Sequence, residues 1–450
     1  MKKVLLLSVV LLGSGLAVFA GGQNEPMDED VYPAGTMSFM GYGNPQVHKV
    51  HADDFLNRNR DVAPTVDFEI LHVESESAAR QHVIMSVTAG AWDDLPTAMR
   101  TEEVSLQVMA DHGILVDLTD FALEHKDDYI DGVWDAGFYD GRYYGIPTQF
   151  KPQLLFYNAT LFEKYNIDPE RMDTIEGWID VGRDLKRKSE GKVRLSYIDP
   201  GHFTWRYYGR RGLMPQAEAN IWDDDGNVVI DTDPGSLLAF NTLDTLKSED
   251  LLLTASMFQP QLYDATRDGR IATFYIGAFW DQFLRQNLPD MEGDWRMMPA
   301  PMFENIGLRG APVAAIDVIL NPPGGAPYKD LYLEMMLDFQ FNNEARIDWT
   351  EKMIGQNQTV SAPIVKKTLE DPYWSQPTHY YGGQSLLGME TKGLVNFAPN
   401  LRVTNVDAEA DSIISAELEK YVAGDQSMDQ AVANMGRILR QRIRKAPAAR

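Results

Sequence analysis

The sequence predicts an α/β protein in which one chain weaves two lobes together. Three observations carry that expectation. Between Thr36 and Gly90 strand and helix patterns alternate, the signature of a parallel sheet with crossover helices. A late apolar run, Ala311 to Pro323, returns to a sheet far from its sequence neighbours. Finally, no repeat of fixed period and no low-complexity linker divides the chain into separate beads.

The elements follow in order. "TMSFMGYG", Thr36 to Gly43, is a short buried strand ending in a glycine loop, and Val47, Val50, Phe55 and Leu56 then fall at helical spacing. Val66, Phe68, Ile70 and Val73 mark a second strand. The next helix runs through Val87 and stops near Gly90. Beyond residue 150 helices dominate, in "NATLFEKYNI", "IEGWIDVGRDLKRKSEG" and "PGSLLAFNTLDTLKSEDLL". "IWDDDGNVVID" predicts a hairpin around Asp225-Gly226-Asn227. Its aspartates are no calcium loop, because the glycine comes too soon and the terminal glutamate is missing. From Tyr328 onward the pattern is mostly amphipathic helix.

The ends and the composition bound the function. Lys2 and Lys3, the apolar run Val4 to Leu12 and the small-residue site at Val18-Phe19-Ala20 read as a secretory signal cleaved after Ala20. Gly13-Ser14-Gly15 breaks the run well short of the ~20 residues that a membrane anchor needs. Residues 21–33 read as a disordered leader. The chain contains no cysteine, which rules out disulfides, thiol catalysis, zinc-thiolate sites and a lipid-modified N-terminus. A soluble periplasmic or extracellular protein is expected. Loss of residues 1–20 removes two lysines and no acid, taking the formal charge from −25 to −27. Such a balance disfavours nucleic acid and anionic membrane surfaces as partners.

Catalytic motifs are scarce. No G-x-S-x-G, H-E-x-x-H or P-loop occurs, and His48 and His51 read as a solvated helix face rather than as metal ligands. No cofactor and no metal is expected. Paired carboxylates of a secreted glycosidase stay open as an alternative, given 66 acidic residues.

A set of motifs carries more. Asp140-Gly141-Arg142-Tyr143-Tyr144-Gly145-Ile146-Pro147, followed by Leu155-Phe156-Tyr157-Asn158, resembles a passage of the bacterial extracellular solute-binding proteins, family 1, the sugar-binding group that includes maltose-binding protein. "LFEKYNIDPERMDTIEGW", "RDGRIATFYIGAFW", "DWRMMPAP" and "VAGDQSMDQAV" resemble later segments of that family in the same order. One departure is Thr97, where many relatives have aspartate.

The resemblance implies a periplasmic-binding-protein-like fold: two interwoven α/β lobes, a central ligand cleft and hinge crossings. It places lobe 1 at 34–148 plus 313–346 and lobe 2 at 149–312 plus 347–450, with the first crossing at Thr148 to Lys151. It implies a monomeric, non-enzymatic component of an ABC transporter that hands a carbohydrate to membrane permease subunits. Another polar solute such as glycerol phosphate is the alternative within the class. A sugar needs flat rings and planar polar groups, because buried hydroxyls must find partners. The expected ligand-binding residues are Tyr42 and Asn44 after the first strand, Arg100 and Thr101 after the third, and Lys151 in the crossing. His202 and Trp205 in "DPGHFTWRYYG", Trp280 with Asp281, and Tyr381 complete the set. Trp280 is the principal stacking candidate, core packing being the alternative for so large a side chain. Asp281 is either a hydroxyl acceptor or a helix cap.

Overall fold

The computed structural model describes residues 31–447. The signal peptide and most of the leader read from the sequence therefore lie outside the described residues.

Strand β1 (Gly35–Gly41) leads into helix α1 (Gln46–Arg58), then β2 (Val66–His72) and α2 (Glu76–Ala89). Ser75 caps α2 by accepting from Ala78 N–H, and Gly90 ends it in a left-handed conformation at φ 72°. Strand β3 (Ala98–Thr101) and helix α3 (Glu103–Asp111) follow. β1 pairs in parallel with β2 and β3, as the alternating pattern predicts. Thr97 is used within this sheet: its Oγ1 accepts from Ser38 N–H at 3.1 Å and its N–H donates to Ser38 Oγ at 3.2 Å.

The chain then runs through β4 (Gly145–Lys151) directly into β5 (Gln153–Asn158). The second lobe adds α4 (Ile175–Lys188), a ten-residue π-helix (Thr204–Leu213), α5 (Pro234–Ser248), β6 (Thr273–Gly277), α6 (Trp280–Asn287) and β7 (Trp295–Pro299). β8 (Val313–Ile319) is the late apolar strand, and helices α7 (Lys329–Phe341), α8 (Asn343–Gly355), α9 (Leu386–Gly393), α10 (Asp407–Ala423) and α11 (Met428–Arg442) complete the chain.

Two sheets result. The first has five strands in the order β2-β1-β3-β8-β4, with β8 antiparallel to both neighbours. The second has three antiparallel strands, β6-β5-β7. β4 and β5 belong to different sheets and are separated by Pro152 alone, so the chain crosses between lobes at that residue. The expected crossing at Thr148 to Lys151 falls slightly early, because Gln149, Phe150 and Lys151 still pair with Ala315, Ala314 and Val313 of β8. Proline suits the junction: it has no N–H to leave unpaired and fixes its own φ.

The expected boundary at residue 346 also needs correcting. α8 stays with the first lobe, where Trp349 Nε1 donates to Val47 O of α1 at 3.0 Å. The chain returns there again, with Ile130 N–H bonded to Ile364 O at 2.9 Å and a bridge joining Tyr129 to Val365. Buried apolar faces that must be covered set this boundary, and amphipathic periodicity alone does not say which lobe covers them. The predicted hairpin at 221–231 is a tight turn closed by a single bridge between Trp222 and Val228, with Gly226 at φ 83°. No helix among the described residues is long and apolar enough to cross a membrane.

Candidate functional site between the lobes

The loop after β1 and the end of β3 present the first lobe's side chains. Gly41 has close neighbours, since a Cβ there would sit 2.8 Å from Pro45 Cβ, and Gly43 turns at φ 73°. That tight loop sets out Tyr42 and Asn44, both half-buried. Glu102 occupies the N-cap position of α3 in extended conformation, yet its side chain caps nothing. The carboxylate instead reaches the second lobe.

Opposite stands the π-helix. Its wide turn is built around glycines: a Cβ on Gly209 would lie 2.4 Å from the Trp205 ring, and one on Gly212 would lie 2.8 Å from Tyr207 O. Single π turns inside helices occur frequently at functional sites. Here Arg206 and Arg211 both donate to Glu102, Arg211 at 3.3 Å, while Arg210 turns away to Asp407 at 3.1 Å and Asp411 at 2.7 Å. Tyr42 O–H reaches Glu102 Oε1 at 3.5 Å. Burial acts to raise the Glu102 carboxyl, but Arg206 and Arg211 outweigh it and hold the group below its ordinary range. Burial and the Glu102 charge push the Tyr42 phenol up. Glu76, buried near the same charge, is raised.

Beside this network lies an aromatic wall. The Tyr207 ring is 5.8 Å from Phe203 and 5.4 Å from Phe279, with the Arg206 and Arg211 guanidinium carbons each 5.9 Å from its centroid. Phe203 and Phe279 are only partly buried. Gln282, one turn along α6 from Phe279, donates to Gln358 Oε1 at 3.4 Å, and Asn44 of the first lobe donates to the same oxygen. The wall therefore borders the gap between lobes. Rings, guanidiniums, amides and a carboxylate together are the groups that a polyhydroxylated ligand requires.

The sequence-predicted residues divide. Tyr42 and Asn44 lie at the gap, and the exposed His202 packs on Phe203 with centroids 4.0 Å apart, at the edge of the wall. Arg100 is in reach of the gap but engaged, with Nε 3.4 Å from Asp317 and Nη2 donating to Thr148 Oγ1 at 3.0 Å. Thr101 is 0% exposed and its hydroxyl turns to Glu76 at 3.4 Å. Lys151 is 4% exposed and bonds Val360 O, Thr359 Oγ1 at 3.3 Å and Glu390 at 3.3 Å. Trp205 packs under the π-helix and donates to Asp411 at 2.7 Å.

The expected stacking residue is displaced by one. Trp280 is 0% exposed, set among Phe274 at 5.2 Å, Phe283 at 5.4 Å and Tyr263 at 6.1 Å. The chain turns from β6 into α6 at this point, so adjacent side chains diverge, and Phe279 takes the outward position while Trp280 faces the core. Asp281 and Tyr381 do meet, but inside the second lobe: Tyr381 O–H donates to Asp281 at 2.8 Å, and Arg285 forms an ion pair with it at 2.7 Å. Both are too buried to meet a solute, and Asp281 caps no helix. The two histidines are not a solvated face either. His51 is 5% exposed and bonds Met335 O at 3.0 Å, and burial lowers both imidazoles. Sequence reasoning missed Glu102, Arg206, Tyr207, Arg211, Phe279 and Gln358. Glu102 sits beside the chosen Thr101 and Phe279 beside the chosen Trp280, whereas a π-helix has no sequence signature. Among the described residues no cluster of metal-ligating side chains occurs.

With this geometry in view, the comparisons place the chain in a class. Residues 83–328, more than half the chain, match the family model for bacterial extracellular solute-binding protein. The chain belongs to that family. An arabinooligosaccharide-binding protein of Halalkalibacterium halodurans is 24% identical over 210 residues, covering 44% of this chain and 45% of the relative. A Bacillus subtilis protein of the same description is 21% identical over 238 residues, 50% of each chain. The chain thus matches about half the length of these curated relatives. Solved structures extend the likeness to the whole fold. The binding protein of B. animalis subsp. lactis Bl-04, in complex with beta-1,6-galactobiose, superposes with TM-score 0.72 at 17% identity, covering 91% of this chain and 97% of that one. The galacto-N-biose-/lacto-N-biose I-binding protein of Bifidobacterium longum gives 0.72 at 16%, covering 93% and 98%. MalE from Xanthomonas citri gives 0.70 at 18%, covering 90% and 97%. These likenesses show the two-lobed α/β fold.

Proposed function

We propose that this protein is the carbohydrate-binding component of an ABC importer, acting outside the cytoplasm as a monomer and delivering an unaltered sugar or oligosaccharide to membrane permease subunits. The observation that carries the reading is the wall of Phe203, Tyr207 and Phe279 beside Glu102, Arg206 and Arg211, set between two lobes joined at Pro152. Aromatic faces take the apolar faces of a sugar ring, and the charged network bonds its hydroxyls. Relatives described as arabinooligosaccharide-binding proteins support a sugar as the solute. In this reading Tyr42, Asn44, His202, Phe279 and Gln358 contact the solute, and the lobes close on it by hinge motion. No catalytic step is assigned, and export follows cleavage after Ala20.

The test is a thermal-shift screen of the mature chain against arabino-, galacto- and gluco-oligosaccharides, with each incubation chromatographed. A binder raises the melting temperature by mass action and is recovered intact. Shortened products would assign a hydrolase instead, and no shift with any saccharide would remove the sugar.

A further inference from the structure

Arg346, in α8 of the first lobe, is about 1% exposed. Its Nη2 donates to Ser361 O and Oγ, both at 3.2 Å. Its Nε and Nη1 are buried without partners, and so is the hydroxyl of Thr350, one helical turn further on. The guanidinium carbon lies 3.8 Å from the Phe339 ring centroid and 5.1 Å from that of Trp349. Glu390 is the one acid that acts on it, and that carboxylate is bonded to Lys151 and to Ala362 N–H. One buried carboxylate thus faces two buried cations. Phe339 and Trp349 also line a small cavity, about 20 Å³, enough for a single water-sized particle.

We infer that this corner binds one small monovalent anion, chloride in ordinary buffers, held by Arg346 Nε and Nη1 and by the Thr350 hydroxyl. A buried charge left unpaired is costly, and a guanidinium with idle donors is costly twice. Water would satisfy the donors and leave the charge, whereas an anion meets both needs through charge-assisted bonds. Burial, only partly offset by Glu390, lowers the Arg346 pKa to about 9, in line with a cation short of negative partners. The site has a consequence for the gap. Arg346 anchors Ser361, on the same segment as Gln358 and Val360, so the anion steadies the strand that meets Asn44, Gln282 and Lys151.

The test needs no sugar. Thermal unfolding of the mature chain is followed at fixed ionic strength while gluconate is replaced by chloride, bromide or nitrate. The small anions are expected to raise the melting temperature with concentration, the folding constant growing about tenfold per tenfold anion above the dissociation constant. Arg346→Met should remove the dependence, and Arg346→Lys should retain part of it. A wild-type melting temperature indifferent to anion identity overturns the site, and so does an unchanged dependence in Arg346→Met. Should that variant not fold, crystals of the wild type grown in bromide decide: an anomalous peak beside Arg346 Nε supports the site, and its absence there overturns it.

Discussion

Arg211 of the second lobe donates to Glu102 of the first at 3.3 Å, and Arg206 reaches the other oxygen of the same carboxylate. One side chain at the end of β3 therefore ties the π-helix to the opposite lobe. Its pH behaviour follows from sign. The folded carboxyl is held below its ordinary value, so the contact adds stability above the unfolded pKa of about 4.5 and loses it as pH falls through the lower folded value. Glu102→Gln should loosen the lobe contact at neutral pH, read as a larger radius of gyration in small-angle scattering of the sugar-free protein. An unchanged radius would show that other contacts hold the lobes.

Phe279 and Trp280 are adjacent and should respond oppositely. Trp280→Ala empties a fully buried position and is expected to cost about 3–5 kcal/mol in chemical denaturation. Phe279→Ala removes a partly exposed ring and should leave stability within ~1 kcal/mol of wild type. Equal destabilisation by both would place the two rings in one core.

The Asp281–Arg285–Tyr381 cluster is structural in this account. Asp281→Asn leaves Arg285, 8% exposed, without its counter-charge and should cost about 3–5 kcal/mol. Tyr381→Phe removes one hydrogen bond, at about 1 kcal/mol. Urea titrations give both values, and sugar affinity measured on the folded fraction of Tyr381→Phe should match wild type.

His51 supplies a second pH signature. Burial lowers its pKa from 6.5 to about 4, the Met335 carbonyl partly opposing. Between those values the unfolded chain holds a proton that the native protein lacks, so stability falls as pH drops from 6.5 toward 4 and levels off below. The full contribution is up to about 3 kcal/mol, and His51→Gln should flatten that part of the stability curve.

Much of the fold was readable in the sequence. Alternation of Val66, Phe68 and Ile70 sets β2, Ser75 and Gly90 delimit α2, and the apolar Val313–Ile319 joins the first sheet in the middle. The lobe boundary was less readable, because the amphipathic pattern of α8 does not name its partner, and Trp349 settles it only through Val47. At the site, Tyr42 and Asn44 followed from a strand ending in a glycine loop. The remaining positions turned on direction, which motifs do not encode: β6 turns into α6 between Phe279 and Trp280, and Glu102 rather than Thr101 leaves the sheet. The π-helix was invisible, since its wide turn depends on Gly209 lying under the Trp205 ring.

Calorimetric titration of the best-shifting oligosaccharide into wild type and Phe279→Ala tests the central claim most directly. The account predicts one site per chain and a loss of about tenfold or more in affinity on removing the ring, equivalent to ~1.4 kcal/mol. Binding of equal strength in both proteins, or no heat from any saccharide with wild type, would contradict it.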